Sequence, residues 1–192
     1  MKKLIPLVLA FVLLFSSCFS FLDENVPDTP DENLPAPQTK DELYSLYSKV
    51  SRGQTKAELD ELFGEPTPSY DEYGELKFYT YFNETKSAGV SVIFDADEVI
   101  DAKNLFFNTK YNLIPFSGRY INENIHLIKT DTAVSKAIEI MEGSEPLELS
   151  CRYGDDGPDD TLNIYAWYNE DGASFMLHTN KGLVENVALY RD

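Results

Sequence analysis

The sequence predicts an α+β fold in which two tandem helix-helix-strand-strand-strand repeats form an antiparallel sheet with helices on one face. Three observations lead to this prediction. Two aromatic segments resemble each other at a spacing of 86 residues, amphipathic helical patterns precede both, and short turns separate the strands. Short turns imply antiparallel pairing, and helices with an apolar stripe then cover one face of the sheet.

The two halves of the chain correspond at three places, which predicts an internal duplication. The matched pairs are Phe78–Glu84 with Ile164–Glu170, Val99–Ile100 with Leu183–Val184, and Glu65–Pro66 with Glu145–Pro146. The spacing changes between these segments, so the extra residues fall in turns. We therefore expect one domain, residues 39–192, made of two repeats at about residues 39–110 and 111–192.

The helices of each repeat are predicted from apolar spacing and from their end signals. Thr39 with Glu42 and Thr55 with Glu58 form capping boxes, and Gly64 suits the end of a helix. The expected apolar stripes are Leu43, Leu46, Tyr47 and Val50, then Leu59, Leu62 and Phe63, and in the second repeat Val134, Ala137, Ile138 and Met141.

The strands are predicted from aromatic and β-branched residues between turn signals. The expected strands are Leu76–Phe82, Gly89–Phe94, Glu98–Phe106, Thr161–Tyr168, Ser174–Thr179 and Leu183–Tyr190. Cys151 alternates with Leu147 and Leu149, so we expect a buried strand cysteine and not a nucleophile.

The first residues, 1–17, have the pattern of a signal peptide. Lys2 and Lys3 precede an apolar run, Leu4–Phe15, which is shorter than the ~20 residues that cross a bilayer. Cys18 follows two serines, and this ending resembles the bacterial lipobox, although Phe15 stands where the common form has leucine. The resemblance implies cleavage before Cys18 and lipidation of its sulfur, with palmitate among the acyl chains. An ordinary signal peptide cleaved nearby is the alternative.

Residues 18–38 are predicted to be a lipidated cysteine followed by an extended tether. The segment is rich in proline and in acidic residues, which keep a chain extended and unpacked. We therefore expect an exported protein that is held at the cell membrane or the outer membrane by its lipid anchor alone.

One family shares the pattern of the first repeat. Residues 53–66 read GQTKAELDELFGEP, and the aromatic strand Phe78–Phe82 and the strand Val90–Phe94 follow. This order resembles the β-lactamase-inhibitor-protein-like fold, which small outer-membrane-assembly lipoproteins share and which the inhibitors contain in tandem. The resemblance implies the fold given above and makes inhibition an alternative function. The chain lacks the inhibitors' disulfides and matches no motif of their inhibitory loops, so no functional residue is carried over.

The formal net charge of −17 limits the classes of partner. Nucleic acid and anionic membrane surfaces carry charge of the same sign and are not expected to bind. The charge favours solubility or a protein partner with a basic surface.

Aromatic residues of two strands are the first candidate site. Side chains alternate between the faces of a strand, so Tyr79, Tyr81, Tyr165 and Trp167 share one face, and Phe78, Phe82, Ile164 and Tyr168 share the other. The second set is the more apolar, so we expect it in the core. The first set would then line the open face and bind a partner; the alternative is that its members pack under loops.

The second candidate is an acidic loop, Gly154–Asp160, which contains Asp155, Asp156, Asp159 and Asp160. It could reach a basic cleft, but a solvated loop is the simpler interpretation. Its spacing does not match a calcium loop, so no metal and no cofactor are expected.

Catalysis is not expected from the motifs present. His126 and His178 stand alone without metal-ligand spacing, and both are expected to be packed. A pair of carboxylates acting on cell-wall glycans stays open as an alternative. The sequence therefore predicts a non-catalytic cell-envelope lipoprotein that binds a protein partner through an aromatic sheet face and acidic loops. The alternative is a proteinaceous inhibitor of a β-lactamase or a cell-wall peptidase.

Overall fold

The structure is a computed structural model, and it describes residues 37, 39–71, 73–74, 76–107, 116–169 and 173–190. The predicted signal peptide, Cys18 and nearly all of the tether lie outside the described residues. The described residues belong to one compact unit, Pro35–Asp192. Among them, no helix has the length and apolar character needed to cross a membrane.

One antiparallel sheet dominates the fold, and its eight strands lie side by side in sequence order. They are β1 Thr67–Tyr70, β2 Leu76–Phe82, β3 Ala88–Phe94, β4 Ile100–Phe107, β5 Leu147–Tyr153, β6 Thr161–Tyr168, β7 Ser174–Asn180 and β8 Leu183–Tyr190. Because neighbouring strands alternate in direction, the turns after β1, β3, β5 and β7 all lie at one end of the sheet.

The six expected strands are present within two residues of their predicted ends, but the prediction of three strands per repeat is wrong. Each half contains a fourth strand, β1 or β5, directly after the Glu-Pro pair. β1 has four residues and includes Pro68, which cannot donate a backbone hydrogen bond and is tolerated at a sheet edge.

The described helices are few and short. They are α1 Lys40–Leu43, a 3₁₀ turn at Tyr47–Lys49, α2 Lys56–Phe63, a 3₁₀ helix at Asn122–Leu127, and α3 Val134–Ile140. The predicted capping box begins α2, since the Thr55 N–H donates to Glu58 Oε2 at 2.7 Å and the Glu58 N–H donates to Thr55 Oγ1 at 3.3 Å. Gly64 ends α2 with a φ of 84°, a conformation that glycine adopts without strain.

Two hydrophobic clusters form the core; the first lies mainly in the first half and extends into the second through Leu147, and the second lies in the second half. The first includes Leu43, Leu46, Tyr47, Val50, Leu59, Tyr81, Val90 and Val92. The second includes Ala137, Met141, Trp167, Phe175, Leu177 and Val184. Leu62, expected in the α2 stripe, is instead 52% exposed. Because all eight strands and both clusters lie within residues 35–192, this unit contains its own core.

Four large, half-buried apolar residues of β2, β3 and β4 belong to neither cluster: Phe78, Phe82, Ile93 and Phe106. They lie on the opposite side of their strands from the core residues Tyr81, Val90 and Val92. The face that carries these four residues is termed the outer face below.

Both halves close their last strand in the same way. In the first half, Thr55 bridges Val99, Lys56 N–H donates to Glu98 O at 3.0 Å, and Ile100 N–H donates to Gln54 O at 3.0 Å. The corresponding contacts in the second half are the bridge from Ala133 to Leu183, the bond from Val134 N–H to Gly182 O at 3.1 Å, and the bond from Val184 N–H to Thr132 O at 2.9 Å. One residue further along, a register shift occurs in β3–β4 and again in β7–β8.

Candidate partner-binding site

The aromatic residues predicted for the open face point the other way. Trp167 is 0% exposed in the second core cluster, and its Nε1 donates to the Ser144 carbonyl oxygen at 2.8 Å. Tyr81 is 1% exposed in the first cluster, and its hydroxyl donates to Asp60 Oδ1 at 2.7 Å. Burial and this hydrogen bond raise the pKa of Tyr81. Neither side chain is available to a partner.

The other two members of the predicted set, Tyr79 and Tyr165, are half-buried and pack against the same clusters. The predicted exposure of this first set is therefore wrong, because strand alternation groups residues by face without saying which face meets the helices. In the second set, Ile164 is buried and Tyr168 packs against the first cluster, as expected. Phe78 and Phe82, expected in the core, lie on the outer face instead. Partner binding by the four aromatic residues stays a prediction, but these side chains are not exposed, as that prediction assumed.

A row of polar residues crosses the outer face. Thr80, Ser91, Asn104 and Ser150 lie directly opposite one another on β2, β3, β4 and β5. The hydroxyls of Thr80 and Ser91 are hydrogen-bonded at 2.9 Å. Asn104 Oδ1 and Ser150 Oγ are buried and have no hydrogen-bond partner among the described residues. Because buried polar atoms are normally paired, these two atoms leave hydrogen bonds to be made.

Large apolar side chains flank this polar row on both sides. The rings of Phe82 and Phe106 meet edge to face, with centroids 5.0 Å apart, on either side of Gly89 in the strand register. A Cβ at Gly89 would collide with the Tyr81 carbonyl oxygen, so the strands approach closely here. Phe78 and Ile93 lie on the other side of the row. The outer face thus carries large apolar side chains on both sides of the row, and aromatic rings of this kind are enriched in protein contacts.

The acidic loop between β5 and β6 is held in shape by its own carboxylates. Asp160 accepts from the Asp156 N–H at 2.9 Å, which with Lys181 lowers the pKa of Asp160. Lys181 lies 3.3 Å from Asp156 and 3.4 Å from Asp160, and the Arg52 guanidinium donates to the loop carbonyls of Gly154 and Gly157. Among the described residues, no group of His, Cys, Asp and Glu could hold a metal ion.

Two aspartates of that loop are left facing solvent, Asp155 and Asp159. They lie at the same end of the sheet as the turns that follow β1, β3 and β7. The acidic residues that the structure describes in these four turns are Asp71, Asp95, Asp97, Glu98, Asp155, Asp156, Asp159 and Asp160. Lys181 is the one basic residue in the sequence of these turns. This part of the sheet is termed the acidic end.

A cleft of about 430 Å³ lies between the two halves, away from the outer face. Glu148 links the two sides of this cleft. Its Oε1 accepts from the Tyr47 hydroxyl at 2.8 Å, and its N–H donates to the Tyr44 hydroxyl at 2.8 Å. Lys103 donates to the carbonyl oxygens of Tyr47 and Val50 at 3.1 and 2.8 Å, and burial lowers the pKa of Lys103. These groups are engaged with one another, which indicates a joint between the halves.

The structure adds little support for the residues considered as catalytic candidates. Glu145 lines the same cleft as Glu148, so two carboxylates share it, but Glu148 is bonded to Tyr47. Cys151 is 5% exposed and burial raises its pKa, as expected for a packed thiol. His178 is half-buried on a strand and burial lowers its pKa, whereas His126 is exposed, contrary to expectation.

Sequence reasoning missed the residues of the polar row and one of its flanking rings, Phe106. Asn104 and Ser150 are 46 positions apart and become neighbours through the pairing of β4 with β5. The alternation of Leu147, Leu149 and Cys151 indicates a strand at this position, but no local pattern says that it pairs with β4.

Comparisons with known proteins give a distant likeness among solved structures. No family model matches the sequence, and a search of curated proteins finds no match. Among solved structures, the chain is similar to a "putative beta-lactamase inhibitor protein" from Streptococcus mutans, with 16% identity and a TM-score of 0.45. The match covers 82% of this chain and 90% of that chain.

Proposed function

We propose that this chain is a non-catalytic binding protein whose outer face docks a protein partner with a basic surface. The carrying observation is the group of half-buried apolar side chains on both sides of the polar row, Phe78, Phe82, Ile93 and Phe106, which lie outside both core clusters. A partner that covers this face would bury the rings of Phe78, Phe82 and Phe106. The acidic end would attract basic groups and raise the rate of encounter.

The two halves, in this proposal, are tandem repeats whose helices pack on the face opposite the outer face. The matching bridges at Thr55–Val99 and Ala133–Leu183 and the register shift that recurs after each support a duplication. The core clusters support the placement of the helices, because they contain residues of α1, α2 and α3 and none of the four apolar residues that define the outer face.

The domain is proposed to act at the cell envelope, exported and tethered by a lipid on Cys18. The support is the sequence of residues 1–38, with its short apolar run, its cysteine after two serines and its proline-rich acidic segment. A lipid anchor with an extended leash would leave the outer face free to meet a membrane-associated partner.

The test is capture from envelope extract by residues 35–192, compared between two variants. The outer-face variant carries Phe78→Ala and Ile93→Ala, and the matched control carries Leu62→Ala and Leu127→Ala, which replace side chains that are 52% and 50% exposed elsewhere. We expect a specific protein to bind the parent and the control, and to bind the outer-face variant at least about tenfold more weakly.

The role of charge is tested by measuring how the captured protein binds a variant of residues 35–192 that carries Asp155→Asn and Asp159→Asn. We expect slower association and a weaker dependence on salt, since these two carboxylates face solvent. Equal capture by the outer-face variant and the control would contradict the proposed site, and binding that is indifferent to salt would remove the basic-surface requirement.

An inhibitor of a β-lactamase or a cell-wall peptidase is the second candidate. The observation that favours it is the pre-organised acidic loop, which Arg52 and Lys181 hold while Asp155 and Asp159 project. A rigid loop of this kind loses little entropy on entering an active site. Hydrolysis by a tested enzyme should slow when residues 35–192 are added in excess, and unchanged rates would remove that enzyme.

A further inference from the structure

Within the part of the chain that the structure describes, the outer edge of the last strand, β8, is unpaired and lacks the usual protection. It lies at the end of the strand order and pairs with β7 on one side. Its exposed apolar side chains include Val187, Leu189 and Tyr190, at 38%, 39% and 53%. Within β8 there is no proline or lysine, and its single charge, Glu185, accepts a hydrogen bond from Asn180 at 2.8 Å. Exposed edges with such composition tend to pair with another strand.

Under the proposed duplication, the edge of β8 corresponds to the edge of β4, and β4 pairs with another strand. In the first half, the outer edge of β4 is bridged at Val99 and then pairs with β5 through Ala102, Lys103 and Asn104. In the second half, the edge of β8 is bridged at Leu183, and the residues that follow at the same spacing are Asn186–Ala188. No described strand occupies that position. Asn186–Ala188, which corresponds to the part of β4 that pairs with β5, therefore has no described strand beside it.

The opposite edge does not supply the missing strand. β1 has four residues, includes Pro68 and ends at Tyr70. Its counterpart β5 uses Ser150, Cys151 and Arg152 to pair with β4, and by the Glu-Pro spacing these residues correspond to positions 70–72. β1 thus ends where the pairing segment would begin, which argues against head-to-tail growth of the sheet.

We infer that β8 pairs with β8 of a second copy of this chain, antiparallel about a two-fold axis at Ala188. This register opposes Val187 of each copy to Leu189 of the other and Asn186 to Tyr190, so exposed apolar side chains cover each other on one face. The partner strand is chosen by its backbone pairing, and the outer face takes no part. The inference rests on the duplication and is independent of partner binding.

The negative charge of the chain favours antiparallel over parallel pairing of the two β8 strands. Antiparallel pairing points the acidic ends of the two copies in opposite directions. The two Leu183 residues, where β8 leaves the acidic end, would be about 33 Å apart along the strands. This separation exceeds the Debye length of about 8 Å at physiological salt. Parallel pairing would place the acidic ends side by side.

The test is sedimentation equilibrium of residues 35–192 from micromolar to near-millimolar concentration. We expect a monomer–dimer equilibrium, and Val187→Lys should raise the dimer dissociation constant at least about tenfold. The matched control is Leu127→Lys, which changes an exposed leucine on the 3₁₀ helix and should leave the constant unchanged. Circular dichroism checks that both variants are folded.

A cysteine cross-link fixes the register. Cα atoms of directly opposed residues lie about 4.5–5.5 Å apart, within disulfide range, so Ala188→Cys should give a covalent dimer on mild oxidation. Glu123→Cys, at an exposed position away from β8, should not. A monomer at every concentration, or equal cross-linking of the two variants, would overturn the inference and leave the edge to a strand of another protein.

Discussion

At the scale of single residues, Trp167 shows why residue type does not decide between core and surface. The indole is an apolar body with one polar atom, and it suits an interface or a core that offers an acceptor. Here the Ser144 carbonyl supplies that acceptor, and Phe175 packs against the ring at a centroid distance of 5.7 Å. Alternation along β6 correctly placed Trp167 and Tyr165 on one face, but the packing of α3 decided that this face is inside.

Truncating Trp167 tests that placement. Trp167→Ala should lower the free energy of unfolding by about 3–5 kcal/mol, because it removes a large buried side chain and leaves a cavity. Urea denaturation of residues 35–192 measures the change. Tyr73→Ala, at a side chain that is 83% exposed, serves as the control and should change stability by less than about 0.5 kcal/mol. A loss as small as the control's would show that Trp167 is not core.

His178 is predicted to make the fold less stable below neutral pH. Burial lowers its pKa from 6.5, and its cross-strand neighbours, Ile164 and Asn186, are uncharged. As pH falls through 6.5, the unfolded chain takes up a proton that the folded chain resists, so unfolding is favoured. Between pH 7.5 and 5.5, the parent should therefore lose more stability than His178→Gln. The acids with lowered pKa, Asp60 and Asp160, titrate below this window.

At the scale of elements, apolar spacing found the core positions better than it found helix lengths. Leu43, Leu46, Tyr47 and Val50 are all buried, as their spacing predicts, yet the helix stops at Leu43 and resumes as a 3₁₀ turn. The carbonyl oxygens of Tyr47 and Val50 accept from Lys103. A lysine 53 residues or more away in sequence thus satisfies groups that a continuing helix would have used itself.

The joint between the two halves depends on Tyr44 as well as on strand pairing. β4 and β5 pair over three residues, and the Tyr44 hydroxyl adds two bonds to the Glu148 backbone, at 2.8 Å from its N–H and 3.1 Å to its carbonyl oxygen. Tyr44→Phe should lower the free energy of unfolding by about 1–3 kcal/mol, because it leaves two buried backbone groups unpaired. Thermal unfolding measures this, and Tyr70→Phe at an exposed tyrosine is the control. Equal melting temperatures would assign the joint to the strands alone.

At the scale of the whole molecule, the order of the strands gathers the negative charge. Acidic residues that are up to 89 positions apart, from Asp71 to Asp160, reach one end of the sheet because every second turn of an antiparallel meander lies there. The sequence shows the same residues as scattered turn positions. The attraction of a basic partner that we propose would therefore be a property of the assembled sheet.

Attachment of the whole chain to a membrane is tested at Cys18. In cells given labelled palmitate, the parent chain should carry label and sediment with membranes, and Cys18→Ser should lose both properties if the proposed anchor is the one link to the bilayer. Cys151→Ser is the matched control, because that thiol is buried and should leave the label unchanged. If the parent chain carries no label, the alternative of an ordinary signal peptide cleaved near Cys18 remains.

The sequence by itself determined the antiparallel sheet, six of its eight strands, the capping box of α2 and the buried strand cysteine. These features depend on local periodicity, turn residues and end signals, which act over a few residues. It also predicted the correspondence of the two halves, which the matching bridges at Val99 and Leu183 support.

The tertiary structure alone decided which sheet face is buried, how β4 meets β5 and where the acidic turns collect. Alternation fixes relative orientation within a strand, but a face becomes core when a helix packs on it, and that contact joins distant residues. For the same reason, the unpaired atoms of Asn104 and Ser150 and the open edge of β8 are visible only after the strands are in register.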